Sequence, residues 1–273
     1  MTSILGAAKT VVKKTPLWPL LRPRRIHIYG VGAPKTGTVS LARLFANYRS
    51  GHEAHPAETL QILRDIRTGE VGQNRVREAL RSRDRKWRLE CESAHFLVHL
   101  VEYLTEEFPD AKFICTVREP RSWLRSILDQ CINNPRSALS PEWKAIHDLA
   151  FGRPPEEYPP AERLLEEYGL RRLDQYLQYW AWHNEKILDA VPSERRLFIR
   201  TAKLSSSLEE VATFANLSTS HLSDARSHSH RTTERHSVLE HIENSYINEK
   251  IRDRCSRVVD RLNRETSVSV ELP

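Results

Sequence analysis

The chain contains several short apolar runs, which are separated by longer segments of mixed polarity. The runs at 26–31 (IHIYGV), 111–117 (AKFICTV) and 195–200 (RRLFIR) are apolar and rich in β-branched residues, which is typical of buried strands. Two further strands are expected at about 50–54 and 86–91, where the apolar character is weaker. The pattern therefore predicts five strands spread over most of the chain.

Between these runs, apolar residues recur at helical spacing. Helices are expected at 39–48, 56–67, 74–83, 96–108, 118–132, 171–190, 208–217 and 240–266. A sheet whose strands alternate with helices is usually parallel and covered by helices on both faces. The sequence therefore predicts an α/β fold with a central, mostly parallel sheet flanked by helices.

The chain divides into a lead-in and one large domain. Residues 1–24 carry lysines that break each apolar run, so we expect a basic arm rather than a signal peptide. Residues 25–273 have the length of a single α/β domain. Within that domain, about 134–170 is rich in proline and aromatic residues, and we expect an irregular insertion that shapes a substrate pocket. Residues 221–236 are rich in histidine, and their role is open.

Composition narrows the class of protein. The chain has 273 residues, 39% hydrophobic and 29% charged, with a formal net charge of +6. This modest basic excess suits a polyanionic ligand, but it is too small to indicate a nucleic-acid partner. No apolar stretch approaches the roughly 18 residues of a membrane span. The four cysteines form no CxxC pair, so we expect no metal site and a reducing, cytoplasmic compartment.

The segment between the first strand and the first helix, GAPKTGT, has the composition of a phosphate-binding loop. Backbone N–H groups at a helix start bind phosphate, while Thr36 and Thr38 add hydroxyl donors and Lys35 adds a mobile charge. A Walker A loop instead has lysine directly after its last glycine, followed by a Ser or Thr that holds Mg²⁺. Here Thr38 and Val39 follow Gly37, which disfavours an ordinary kinase or NTPase.

This segment resembles the 5′-phosphosulfate loop of the PAPS-dependent sulfotransferases, whose core is Pro-Lys-[Ser/Thr]-Gly-[Thr/Ser]. The resemblance implies a P-loop NTPase-like sulfotransferase architecture. It also implies that Lys35 stabilises the charge on the bridging oxygen that leaves the donor. The residues implied to bind the donor PAPS here are Pro34, Lys35, Thr36, Gly37, Thr38 and Val39.

A second mark of the family is an arginine that ends a later strand, with a serine eight residues further on. Arg118 follows the run at 111–117, and Ser126 is eight residues beyond it. By this resemblance, both residues bind the 3′-phosphate of the donor, to which an arginine can donate in a forked geometry. The similarity to the family extends over roughly residues 25–215.

The general base for the acceptor hydroxyl is left open by the sequence. Some family members use a Glu after the second strand, a position that Glu53 occupies here. Others use a His after the third strand, and His95 lies near that position although its surroundings differ from the family pattern. His52, His55 and Glu92 are further alternatives.

The resemblance implies a PAPS-dependent sulfotransferase that acts on the hydroxyl group of a glycan or a small molecule. Two other functions remain as alternatives: a non-catalytic nucleotide- or glycan-binding module, and a P-loop enzyme of kinase type. A kinase would require Mg²⁺, whereas the sulfuryl-transfer scheme requires no metal. Neither the acceptor nor the oligomeric state can be predicted from the sequence.

Overall fold

The computed structural model describes residues 23–69, 71–223 and 235–273. At its centre is a five-stranded parallel sheet with the strand order β2-β3-β1-β4-β5. The strands are β1 (Ile28–Gly30), β2 (Ser50–His52), β3 (Cys91–Ser93), β4 (Lys112–Val117) and β5 (Arg196–Arg200). The predicted α/β fold with a parallel central sheet is confirmed.

Helices fill the connections between the strands. In chain order they are α1 (Thr38–Leu44), α2 (Pro56–Thr68), α3 (Gln73–Trp87), α4 (Val101–Glu107), α5 (Pro120–Asn133), α6 (Pro141–Phe151), α7 (Arg163–Glu167), α8 (Leu173–Ala190), α9 (Leu208–Phe214) and α10 (Asn244–Glu265). Two 3₁₀ segments, His95–Leu100 and Thr201–Ser206, follow β3 and β5.

Each face of the sheet carries its own apolar core. Because successive strand residues point to opposite faces, Tyr29, Phe113 and Cys115 lie in the larger core, together with residues of α5, α8 and α10. Ile28 and Ile114 lie in the smaller core, against α1 and α9. The expectation that helices cover both faces is therefore confirmed.

The connections from the two central strands leave the sheet in opposite directions. The chain passes from β1 through α1 to β2 on one side, and from β4 through α5 and α8 to β5 on the other. A crevice opens at the carboxyl ends of parallel strands where such connections diverge, and ligands commonly bind there. The phosphate loop follows β1 and Arg118 follows β4, so both sequence motifs lie at this switch point.

The expected strand at 86–91 was placed too early. Helix α3 continues to Trp87, and Arg88 then ends it with a left-handed backbone at φ 44°. Strand β3 begins only at Cys91. Some apolar residues of this segment therefore belong to the end of a helix. A short alternating pattern does not distinguish a helix end from a strand.

The segment 134–170 is more regular than expected. It contains the eleven-residue helix α6, and Pro141 occupies the first turn of that helix after the N-cap residue Ser140. Proline is favoured at this position because its missing N–H would have no intrahelical partner. The high proline content was therefore wrongly interpreted as a sign of irregular structure.

Candidate active site

The phosphate loop has an alternating backbone. Lys35 has φ 66° and Gly37 has φ 103°, so two positions in a three-residue stretch adopt left-handed conformations. Left-handed residues alternating with ordinary ones turn successive N–H groups toward a common concavity that binds anions. Gly37 meets this demand without strain, whereas Lys35 adopts a conformation that is unusual for a residue with a side chain.

Side chains from distant elements fix this loop. Trp123 Nε1 donates to Pro34 O at 2.7 Å, and Thr201 Oγ1 donates to Thr36 O at 2.6 Å. The hydroxyl of Thr36 was expected to bind the donor, but it donates to Ala33 O at 2.7 Å. Thr36 as a whole is only 1% exposed. Thr36 therefore shapes the loop with its side chain.

Gly32 is required by close packing at the start of the loop. A Cβ atom there would lie 2.2 Å from Thr116 Oγ1 and 2.9 Å from the backbone oxygen of Thr116. We predict that Gly32→Ala lowers the free energy of unfolding by about 1–3 kcal/mol, the usual cost of overpacking. Urea denaturation measures this change.

Gly72→Ala is the matched control for Gly32→Ala. Gly72 has φ −70°, and a Cβ atom placed there would meet nothing within 4 Å. Because Gly72 is the N-cap residue of α3, where alanine is less favourable than glycine, the control is expected to lower the free energy of unfolding by at most about 1 kcal/mol, less than Gly32→Ala. Equal stability of the two variants would contradict the packing assigned to Gly32.

One face of α5 joins Arg118 to Lys35. Arg118 Nε donates to Ser122 Oγ at 3.0 Å, and Lys35 Nζ donates to Gln130 Oε1 at 3.1 Å. Ser126 lies one helical turn from each of these partners, since residues four apart share a helix face. The structure thus brings together Lys35, Arg118 and Ser126, which the sequence places far apart.

Arg118 has no carboxylate partner within the described residues. Its neighbour Glu119 pairs instead with Arg200. Burial lowers the pKa of Arg118, the nearby charge of Glu119 opposes this effect, and the positive charges of Arg125 and Arg235 act in the same direction as burial. A partly buried cation with two other cations nearby and no carboxylate in direct contact favours an anionic ligand.

Lys35 belongs to the same cationic cluster. Burial lowers the pKa of Lys35, the charge of Arg118 lowers it further, and Asp129 opposes both effects. Lys35 therefore lies close enough to Arg118 and Asp129 to feel both charges. A phosphate or sulfate bound between Lys35 and Arg118 would attract both cations and offset their mutual repulsion.

A late segment of the chain also reaches this crevice. The backbone N–H of His236 donates to Asp129 Oδ1 at 3.0 Å, and His236 Nε2 lies 3.2 Å from Asn133 Oδ1. These contacts hold Arg235 near Arg118, an arrangement that the sequence analysis missed. Residues 224–234 of the histidine-rich stretch, which include His228 and His230, lie outside the described residues, as does most of the expected arm at 1–24.

Glu53 and His95, proposed from the sequence as alternative bases, are in direct contact. His95 Nδ1 lies 3.1 Å from Glu53 Oε1, and the two side chains are 11% and 23% exposed. Glu53 has φ 49°, and its N–H donates to Ser93 O at 2.9 Å, which fixes this strained turn after β2. His95 Nε2 makes no hydrogen bond within the described part of the chain. The pair has the geometry of a carboxylate that orients an imidazole base.

Two other candidate bases have different partners. His55 is stacked on Trp87 with ring centroids 3.4 Å apart. Arg83 donates to both carboxylate oxygens of Glu92, which is 3% exposed. Arg83 thus engages both carboxylate oxygens of Glu92, and Trp87 covers one face of the His55 ring.

Helix α6 packs against the segment that contains His95. Trp143 of this helix lies 6.5 Å from the ring of Phe96, the residue that follows His95. The helix is anchored by Asp148, which accepts a hydrogen bond from the fully buried Arg171 at 2.7 Å. The segment expected to shape a substrate pocket therefore lies next to the candidate base.

Acid is expected to destabilise the fold through buried histidines. Burial lowers the pKa of His27 and His147 to about 4, and that of His99 and His183 to about 3, from the ordinary histidine value of 6.5. Since the unfolded chain binds protons more tightly, the stabilisation from neutral rings is complete above pH 6.5 and is lost toward pH 4. Urea denaturation should show the free energy of unfolding falling from pH 7 to pH 5. A flat or rising profile would contradict this prediction.

Neither a metal cluster nor a membrane span is present among the described residues. No three His, Cys, Asp or Glu side chains converge there in a way that could hold a metal ion. None of the helices in the described ranges has both the length and the apolar character that a bilayer crossing requires. The four cysteines are free and buried.

Comparisons with known proteins agree with this architecture. The model of the sulfotransferase domain family matches residues 27–221. The sulfotransferase STF9 from Mycobacterium avium is similar in structure, with a TM-score of 0.50 and 12% identity over 97% of this chain and 82% of that one. This similarity shows the shared fold.

Two other solved structures have lower TM-scores. A sulfotransferase from Alicyclobacillus acidocaldarius has a TM-score of 0.49 and 17% identity over 89% of this chain and 95% of that one. The sulfotransferase domain from the curacin biosynthetic pathway has a TM-score of 0.44 and 14% identity over 91% and 99%. The comparison with curated proteins found no match to this chain.

Proposed function

The chain belongs to the sulfotransferase domain family, and on that premise we propose that it transfers a sulfuryl group from PAPS to the hydroxyl group of an acceptor. The observation that carries the donor proposal is the cationic crevice between β1 and β4. There Lys35 and Arg118 approach opposite ends of one face of α5, and Arg118 has no carboxylate partner among the described residues. A donor with phosphate groups at both ends matches this spacing of charge.

The two ends of the donor are assigned to different elements. The 5′-phosphosulfate lies in the loop Pro34–Val39, where backbone N–H groups and Lys35 contact it. The 3′-phosphate lies at Arg118 and Ser126, and Arg235 adds a third donor group to this end. PAPS thus spans the switch point of the sheet.

The transfer is an in-line displacement at sulfur. The acceptor oxygen forms a new bond to sulfur while the bond from sulfur to the bridging oxygen breaks, and adenosine 3′,5′-bisphosphate leaves. Lys35 stabilises the negative charge that develops on the bridging oxygen. This arrangement follows the logic of phosphoryl transfer, in which positioning and charge stabilisation dominate.

The proton of the acceptor hydroxyl goes to the Glu53–His95 pair. With Nδ1–H donating to Glu53 Oε1, His95 presents the lone pair of Nε2, and the carboxylate stabilises the imidazolium that forms. His95 is therefore the base and Glu53 orients it. The two residues that looked like alternatives in the sequence act as one unit.

Transfer of [³⁵S]sulfate from labelled PAPS tests the proposed function. A panel of phenols, primary alcohols and mono- and disaccharides would be screened in the presence of a chelator, with ATP and Mg²⁺ as the rival substrate. We expect a labelled acceptor and adenosine 3′,5′-bisphosphate in equal amounts without metal. Phosphorylation of an acceptor from ATP, with no transfer from PAPS, would replace the proposal with a kinase-type activity.

A further inference from the structure

A row of polar side chains connects the phosphate loop to the base. Thr38 Oγ1 lies 3.0 Å from His52 Nε2, and that nitrogen lies 3.8 Å from Glu53 Oε1. The same carboxylate oxygen is 3.1 Å from His95 Nδ1. Neither donor binding nor proton transfer requires His52 itself, so this connection has no role in the reaction as described above.

The backbone holds the row rigidly. His52 is the last residue of β2 and pairs with Ser93 of β3. Ser93 Oγ donates to Thr38 O at 2.9 Å, and Ser93 O accepts the N–H of Glu53 at 2.9 Å. Because Ser93 is fully buried, Thr38, His52 and Glu53 are fixed around one residue.

The number of protons available sets the direction of these bonds. A threonine hydroxyl has one proton to donate, and a neutral imidazole has one N–H and one acceptor nitrogen. In the absence of a donor molecule, Thr38 can donate to His52 Nε2. When a phosphosulfate lies in the loop, the Thr38 proton is used on its anionic oxygen, since bonds to charged acceptors are the stronger ones. Thr38 Oγ1 can then only accept, and this requires His52 to carry its proton on Nε2.

This change of tautomer reaches the base. With its proton on Nε2, His52 donates to Thr38 Oγ1. The same nitrogen lies 3.8 Å from Glu53 Oε1, too far for a hydrogen bond, so the N–H dipole stabilises the ionised carboxylate only electrostatically. An ionised Glu53 accepts the Nδ1–H of His95 and leaves His95 Nε2 unprotonated. In this state Thr38 donates to the bound phosphosulfate, His52 donates to Thr38, and His95 donates to Glu53.

We propose that His52 is a positioning residue that transmits occupancy of the phosphate loop at Thr38 to the Glu53–His95 pair, so that donor binding orients the base. The proposal rests on the proposed function, because it requires the donor to bind at the loop. It assigns a role to a residue that lies outside both family motifs. Its consequence is an order of events in which the base is prepared before the acceptor reacts.

Histidine ¹⁵N NMR with adenosine 3′,5′-bisphosphate tests the relay directly. The His52 signal is assigned by its loss in His52→Gln, and calorimetry on the same samples establishes saturation. On binding, we expect His52 to shift to the tautomer with a protonated Nε2 and the ring nitrogens of His95 to change their chemical shifts. His52→Ala should bind the nucleotide but lose at least half of the His95 response.

Two variants separate the relay from a structural effect. In His52→Gln the side-chain amide can still donate to Glu53 or Thr38, so the His95 response should persist. His55→Asn is the matched control in the same turn, where the ring is stacked on Trp87 and outside the row. It should leave the response unchanged.

The outcomes distinguish the relay from the proposed function. Nucleotide binding without a change in the His52 tautomer, or with an equal His95 response in His52→Ala, would overturn the relay and leave the donor site intact. Failure of the wild-type protein to bind the nucleotide would overturn the donor site itself. If His52→Ala does not fold, the wild-type tautomer measurement decides alone.

Discussion

Replacing His95 with alanine is expected to lower kcat for sulfuryl transfer by about 10²- to 10⁴-fold, the usual contribution of a general base. The acceptor hydroxyl would then lose its proton to water without the oriented imidazole. Donor binding should change little, because His95 lies on the β3 side of the crevice, away from Arg118. Single-turnover transfer from labelled PAPS, with an acceptor found in the screen, measures the rate.

A double-mutant comparison tests whether the base is a pair. Glu53→Gln alone should lower kcat, because the neutral amide orients the ring without stabilising the imidazolium. Combining Glu53→Gln with His95→Ala should lower kcat no further than His95→Ala alone, since residues that act as a unit are not additive. Multiplicative effects would show two independent groups. His55→Asn should stay within about twofold of the wild type, as expected of a surface change of at most about 0.5 kcal/mol.

Lys35→Ala should produce the second large effect on turnover. Removing a cation from the developing charge on the bridging oxygen is expected to lower kcat by about 10²- to 10³-fold. The effect on the affinity for adenosine 3′,5′-bisphosphate should be much smaller, because the backbone of the loop and Arg118 remain. Comparing kcat with the dissociation constant separates the two effects.

Lys86→Ala is the matched control for Lys35→Ala. Lys86 also carries a single positive charge, but it is 58% exposed and pairs with Glu58 on the surface at 2.7 Å. Such pairs contribute about 0–1 kcal/mol. Equal losses of kcat in the two lysine variants would show that net charge, rather than the position of Lys35, controls the rate.

The residues proposed to bind the donor could be named from the sequence because their motifs are local. The loop from Pro34 to Val39 is contiguous and directly follows an apolar strand, and Arg118 directly follows another. The switch point between β1 and β4 then places both motifs in one crevice. The parallel sheet followed from the alternation of strands and helices, whereas the strand order had to come from the structure.

The Glu53–His95 pair that we propose as the base could not be predicted from the sequence because it depends on a long-range contact. Glu53 and His95 are brought within 3.1 Å by the pairing of β2 with β3 and by a left-handed residue after β2. The sequence predicts neither the register of such short strands nor a positive φ at a glutamate. The side chains that hold the phosphate loop were missed for a similar reason. Trp123 and Thr201 donate hydrogen bonds to backbone oxygens of the loop, and no sequence motif includes these contacts.

Proline in the segment 134–170 had two possible meanings. A proline within a helix breaks it, whereas a proline after a capping serine begins one. The pair Ser140-Pro141 was such a start signal, and α6 follows it. Trp143 of α6 lies 6.5 Å from the ring of Phe96, the residue that follows His95.

The donor site is tested most directly by titrating adenosine 3′,5′-bisphosphate into the protein without metal, with Arg118→Ala and Arg121→Ala as a pair. Arg121 lies three residues further along, in the first turn of α5, and donates to Asn248 Oδ1 at 2.6 Å. The account predicts micromolar binding to the wild type, a loss of about 1.5–3 kcal/mol in Arg118→Ala, or roughly 10- to 100-fold, and little change in Arg121→Ala. No binding, an equal loss in both variants, or equal binding of ATP that depends on Mg²⁺ would contradict it.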